Sequence, residues 1–173
     1  MTKPVVVTGC GRSGTHWIGR ILTRILGPRA AKFEPVNFTD AETVVVDSRL
    51  RFDVEALERA GHRVIHLVRD GRDVVRSLDQ WYRDNGWTRR DNDVRVLDGL
   101  AGKAVPFESL CVEWAHAIEL MGGCEPLRIE DLSLPGERNK TDNYTLPHWT
   151  EWDAKMTETF WWSCGDHMKR MGY

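Results

Sequence analysis

The chain has 173 residues, 24 Lys and Arg against 26 Asp and Glu, and a formal net charge of −2. That length suits one compact domain spanning 1–173, able to bury about 70% of its unfolded surface. The near balance of charge argues against a general nucleic-acid binder, and no apolar run approaches the ~20 residues of a membrane span.

In chain order, a strand is predicted over 4–8, followed by a Gly-rich turn and a helix over about 14–26 that Gly27 and Pro28 stop. "AAKFE" reads as a short strand and "TVVVDS" as a buried one, rich in β-branched residues. "DVEALERAG" reads as a helix from Asp53 to Gly61, "RVIHLV" as another buried strand, and "GRDVVRSLDQWYRD" as a helix. A polar loop is expected over 84–104. Apolar residues at 107, 110, 111, 114, 118 and 121 then make one helical face. "PLRIEDL" is a last strand and its exit, 133–148 looks irregular, and 150–171 reads as a terminal helix. Strands alternating with helices predict an α/β chain: a three-layer fold of P-loop type, with a central, mostly parallel sheet flanked by helices. Ligands of such sheets bind at the carboxyl ends of the strands.

Four cysteines, at 10, 111, 124 and 164, lack zinc-ligand spacing. After "PVVV" the chain turns to Gly and Arg, unlike the apolar core of a secretory signal. The expectation is reduced thiols in a cytoplasmic protein.

Two stretches carry the chemistry. In "VVVTGCGRSGTHW", Gly9 and Gly14 fit the front of the phosphate loop G-x-x-x-x-G-K-[ST]. Thr15 stands at the lysine position and His16 at the magnesium-binding hydroxyl. Glycines let the backbone approach an anion, the amides of Ser13, Gly14 and Thr15 would point at it, and Arg12 adds a full charge. In "HLVRDGRDVVRSL", Arg69 ends a buried strand and Ser77 lies on the second turn of the next helix. That spacing can bring a guanidinium and a hydroxyl to one phosphate, whereas Arg72 and Arg76 read as solvated. Two anion sites without the Lys–Thr–Mg²⁺ apparatus suit a nucleotide with a 5′-phosphosulfate and a distant 3′-phosphate better than a triphosphate.

On these residues the chain resembles the PAPS-dependent sulfotransferases, whose donor is 3′-phosphoadenosine 5′-phosphosulfate. "GRSGTHW" is similar to their K/R-S-G-T-T-W loop, and "HLVRDGRDVVRSL" to their LVRDPRD segment with its following serine. "KFEPVN" and "DSRLRF" resemble segments of the carbohydrate-type members, "LRIEDL" a Y-E-D-L stretch, and "HMKRMGY" a leucine–glycine–tyrosine close. The resemblance implies that Gly11, Arg12, Ser13, Gly14, Thr15 and His16 hold the 5′-phosphosulfate, that Trp17 stacks near the adenine, and that Arg69 and Ser77 hold the 3′-phosphate. It implies PAPS as donor, PAP (3′-phosphoadenosine 5′-phosphate) as product, a small-molecule or carbohydrate acceptor, and no metal. The chain departs from the pattern at His16, where a threonine is usual, and at Gly71, where a proline is usual. It is also short, so the acceptor region is expected to be reduced.

Sulfuryl transfer needs a base for the acceptor proton and positive charge on the leaving phosphate. Arg12 can supply the charge but not the proton. Glu34 of "FEP" is the leading base and Asp47 the rival, with a capping role open to it. His66 reads as a satisfied core histidine. Glu130 and Asp131 read as loop braces. Trp114, Trp152, Trp161 and Trp162 read as core, and Trp81 and Trp87 as flanking a polar loop. The alternatives are a P-loop kinase or NTPase, and a module that binds PAP without transferring anything.

Overall fold

The computed structural model describes residues 3–35, 37, 43–85, 105–122, 124–133 and 143–173. Among the described residues, five strands form one sheet: β1 (Val5–Gly9), β2 (Ala31–Phe33), β3 (Val44–Val46), β4 (Val64–Val68) and β5 (Glu125–Arg128). Five α-helices accompany them: α1 (Thr15–Leu26), α2 (Val54–Arg59), α3 (Gly71–Asn85), α4 (Phe107–Glu119) and α5 (Ala154–Arg170). The strand order is β2-β3-β1-β4-β5 and every pairing is parallel. The expected α/β class is therefore present, and the sheet is parallel throughout.

The valine runs explain the central strands. Parallel strands are covered on both faces, so β-branched residues at successive positions are all useful. Val6 and Val68 face one core, with Val74, Leu110, Trp114 and Phe160 from α3, α4 and α5. Val7, Val46 and Leu67 face the other, with Trp17, Ile18 and Ile21 of α1. Helices thus flank the sheet on both sides. Among the described residues no helix is long and apolar enough to cross a membrane.

Most predicted elements appear within a few residues of their expected ends. A six-residue 3-10 helix, Ser48–Asp53, precedes α2 and was not foreseen. The expected loop over 84–104 begins later, since α3 runs to Asn85, and residues 86–104 with Trp87 lie outside the described residues. Two tryptophans depart from the core expectation. Trp114 is fully buried, but Trp161 is 42% exposed and Trp162 81% exposed, because α5 turns only one stripe, through Phe160, Cys164 and Met168, to the core. All four cysteines are free and buried.

Candidate functional site

The strand order creates the site. β1 leads to α1 and on to β2 at one edge; its neighbour β4 leads to α3 and eventually to β5 at the other. Where adjacent strands send their chains in opposite directions, a crevice opens at their carboxyl ends. The loop at residues 10–14 and the turn at Arg69 and Asp70 flank that crevice.

The glycines of the first loop have different reasons. A Cβ on Gly9 would collide with the Leu67 carbonyl oxygen, so this glycine lets β1 and β4 close up. Gly14, at φ 98°, is the residue before α1, and a Cβ there would collide with the Ile129 side chain. A Cβ on Gly11 would meet no atom within 4 Å, so the space beside it is open. Arg12 between them is left-handed at φ 69°, a conformation that costs a non-glycine residue about 1–3 kcal/mol and recurs at functional sites.

The two motifs meet. Arg12 Nε donates to Ser77 Oγ at 2.9 Å, across 65 residues of chain. Ser77 is 3% exposed and Arg12 half-buried. Burial lowers the pKa of the Arg12 guanidinium; Tyr144 and Asp84 oppose that shift, and Arg69 adds to it. A second guanidinium close enough to be felt is the electrostatic signature of a place suited to an anion. Arg69 Nη2 donates to Asp73 Oδ2 at 3.0 Å, so an anion there would compete with a carboxylate.

The remaining loop residues divide. Ser13 Oγ is buried with no hydrogen-bond partner among the described residues, although a buried hydroxyl normally has one. The Ser13 amide is already engaged, donating to the Cys10 carbonyl at 3.1 Å. Thr15 is 1% exposed at the start of α1. Trp17 is 6% exposed and belongs to the core under α1. His16 faces β2: its ring meets Phe33 edge-on at 4.8 Å, and Nε2 lies 3.4 Å from Glu34 Oε1.

Glu34 and Asp47 sit at neighbouring strand ends in unlike settings. Glu34 is left-handed at φ 45°, its side chain 32% exposed, its amide donating to the Val46 carbonyl at 2.9 Å. Asp47 is 3% exposed and caps the 3-10 helix, accepting from the Arg49 amide at 2.9 Å and from Arg49 Nε at 2.8 Å. The Arg49 guanidinium also reaches the Pro35 carbonyl at 3.3 Å, tying the ends of β2 and β3 together. The capping role left open for Asp47 is the one it fills here.

Several side chains differ from their expected roles. Arg72 and Arg76, read as solvated, hold the segment 143–152 across α3. Arg72 stacks over Trp149 at 4.1 Å, Arg76 over Tyr144 at 4.2 Å, and Arg76 Nε donates to the Leu146 carbonyl at 3.0 Å. Thr145 donates its amide to Gln80 Oε1 at 2.9 Å. Tyr144, close enough to influence Arg12, was missed, since nothing local marks a residue that reaches α3 from 68 positions away. His66 is core but not satisfied: neither ring nitrogen has a partner among the described residues. Glu130 and Asp131 do brace, for Glu130 accepts from the Tyr173 hydroxyl at 2.5 Å and Asp131 pairs with Arg128.

No family model, curated protein or solved structure matches this chain.

Proposed function

We propose that this chain is a sulfotransferase that moves the sulfuryl group of PAPS to a hydroxyl or amine acceptor, possessing a phosphate loop adapted to phosphosulfate. The contact that carries the reading is Arg12 to Ser77, which joins the two anion motifs into one site. The partnerless Ser13 hydroxyl and the open space at Gly11 support it from the loop side. Thr15 supports it against the kinase alternative, because the position a phosphate-loop lysine would take carries a buried, uncharged side chain.

In this reading the acceptor oxygen attacks sulfur in line with the bridging oxygen of the 5′-phosphate. The new O–S bond forms as the bond from sulfur to that bridging oxygen breaks, and PAP leaves. Arg12 offsets the charge growing on the departing phosphate. Glu34, at the carboxyl end of β2, takes the acceptor proton. The acceptor itself is a small molecule or a carbohydrate.

The test is calorimetry and thermal unfolding with PAP in the presence of EDTA. PAP should bind and, at a hundred times its dissociation constant, add about 2.7 kcal/mol of stability. Labelled PAPS with a panel of hydroxyl and amine acceptors should then yield a sulfated product. Tight binding of ATP–Mg²⁺ with none of PAP would overturn the proposal.

A further inference from the structure

We infer that His16 is the positioning residue for Glu34: its imidazole holds one carboxylate oxygen so that the other is presented to the acceptor proton. The inference rests on the sulfotransferase reading and adds to it a residue from the donor loop that serves the acceptor side.

Three observations converge on the pair. His16 Nε2 and Glu34 Oε1 are 3.4 Å apart, long for a hydrogen bond, as unliganded acid–base pairs commonly are. The imidazole has a support of its own, the edge-on ring of Phe33 at 4.8 Å and 72°. Phe33 in turn lies against the backbone of α1 at Gly19, where any Cβ would collide with its ring. The chain of contacts therefore runs from α1 through Phe33 back to His16, on the second residue of the same helix.

Glu34 is held from the other side. Its left-handed backbone turns the chain at the end of β2, and such strain persists only where surrounding structure enforces it. Here the enforcement is the Glu34 amide on Val46 and Arg49 on the Pro35 carbonyl. An imidazole and a carboxylate, each fixed by separate contacts and brought together between two elements, form the orienting half of an acid–base site. The threonine usual at position 16 is too short to make this contact from α1, so the pairing belongs to this chain's own departure from the pattern.

During transfer the acceptor O–H proton passes to Glu34 Oε2 as the O–S bond forms. His16 keeps its Nε2 proton on Oε1 throughout, and the sulfur–bridging-oxygen bond breaks to release PAP.

The experiment compares His16→Phe, His16→Gln and wild type in steady-state transfer and in PAP calorimetry. Phenylalanine keeps a ring against Phe33 and loses the donor, so kcat should fall about 10- to 100-fold while PAP affinity stays within a few-fold. Glutamine keeps an N–H at similar reach and should restore kcat to within a few-fold of wild type. Imidazole ¹⁵N shifts should show the Nε2–H tautomer in wild type and its loss in Glu34→Leu, a readout independent of turnover. Wild-type kcat in His16→Phe, or ¹⁵N shifts indifferent to Glu34→Leu, would overturn the inference alone. A large loss of PAP affinity in His16→Phe would also overturn it, placing His16 on the donor. An inactive His16→Gln that still binds PAP would do the same, because the imidazole would then handle the proton itself. Failure of the wild type to bind PAP would sink the sulfotransferase reading first.

Discussion

His66 sits fully buried in β4, opposite Thr8 of β1, and neither its ring nitrogens nor the Thr8 hydroxyl has a partner among the described residues. Burial, followed by Arg51 and Arg170, pushes its pKa down to about 4. In the unfolded chain it titrates near its ordinary value of about 6.5. Between those values the folded state binds fewer protons, so stability is full above about pH 6.5 and is lost as pH falls toward 4. Urea unfolding at pH 7 and pH 5 should show a drop for wild type that exceeds that of His66→Phe by about 2 kcal/mol. Half-buried Glu113, whose pKa desolvation raises, works in the opposite sense but is common to both proteins. Equal drops would mean that His66 finds a partner in solution. At the proposed donor site, Arg69→Ala should weaken PAP by roughly 10- to 100-fold and adenosine 5′-phosphosulfate far less, since the latter lacks the 3′-phosphate. Ser77→Ala should affect both ligands, because Ser77 also holds Arg12. An equal loss of both ligands in Arg69→Ala would assign Arg69 to the fold instead.

In α1 and α3 a glycine stands where alanine would be the better helix former, and in both an aromatic ring fills the space a Cβ would need. Gly19 lies mid-way along α1 and Phe33 of β2 occupies the space a Cβ would need. Alanine gains about 1 kcal/mol in helix propensity, whereas forcing a side chain into occupied space costs about 1–3 kcal/mol. Gly19→Ala should therefore lose up to about 2 kcal/mol in denaturant unfolding; a gain would show that the Phe33 ring yields freely. Gly71 opens α3, where proline is acceptable to the backbone. A Cβ there would lie 2.9 Å from the indole of the fully buried Trp114. The packing of Trp114 from α4, and not the turn, is what favours glycine at this position.

The whole molecule is organised around the divergence of β1 and β4, with the segment 143–152 crossing α3 beside the resulting crevice. It is held to α3 by Arg72 and Arg76, which a sequence reading assigns to solvent, and by Gln80, while Trp152 at its end packs against Phe107 of α4 and Phe160 of α5. The C-terminal turn is tied to the exit of β5, the Tyr173 hydroxyl donating to Glu130 and Arg128 Nη1 donating to the Gly172 carbonyl at 3.0 Å. A crevice bounded by segments so far apart in the chain exists only in the folded state, so a ligand that bridges the two motifs should stabilise the whole molecule rather than one element.

Much was legible in the sequence itself. Valine runs specify strands buried on both faces, a helix-period apolar stripe specifies α4, and glycines at strand-to-helix turns mark the loop and the ends of α1, because these signals act within a few residues. The stretches "GRSGTHW" and "HLVRDGRDVVRSL" stand out for the same reason. Tertiary structure alone decided what lies far apart in the chain: that Arg12 rests on Ser77, that His16 reaches Glu34, that Asp47 is spent on Arg49, and that Arg72 and Arg76 grip a distant segment. It also decided that Trp162 faces outward and that His66 is buried without a partner among the described residues. Local spacing determines which face of an element a side chain occupies, but its partner depends on which strands become neighbours, and strand order is set by the packing of the entire sheet.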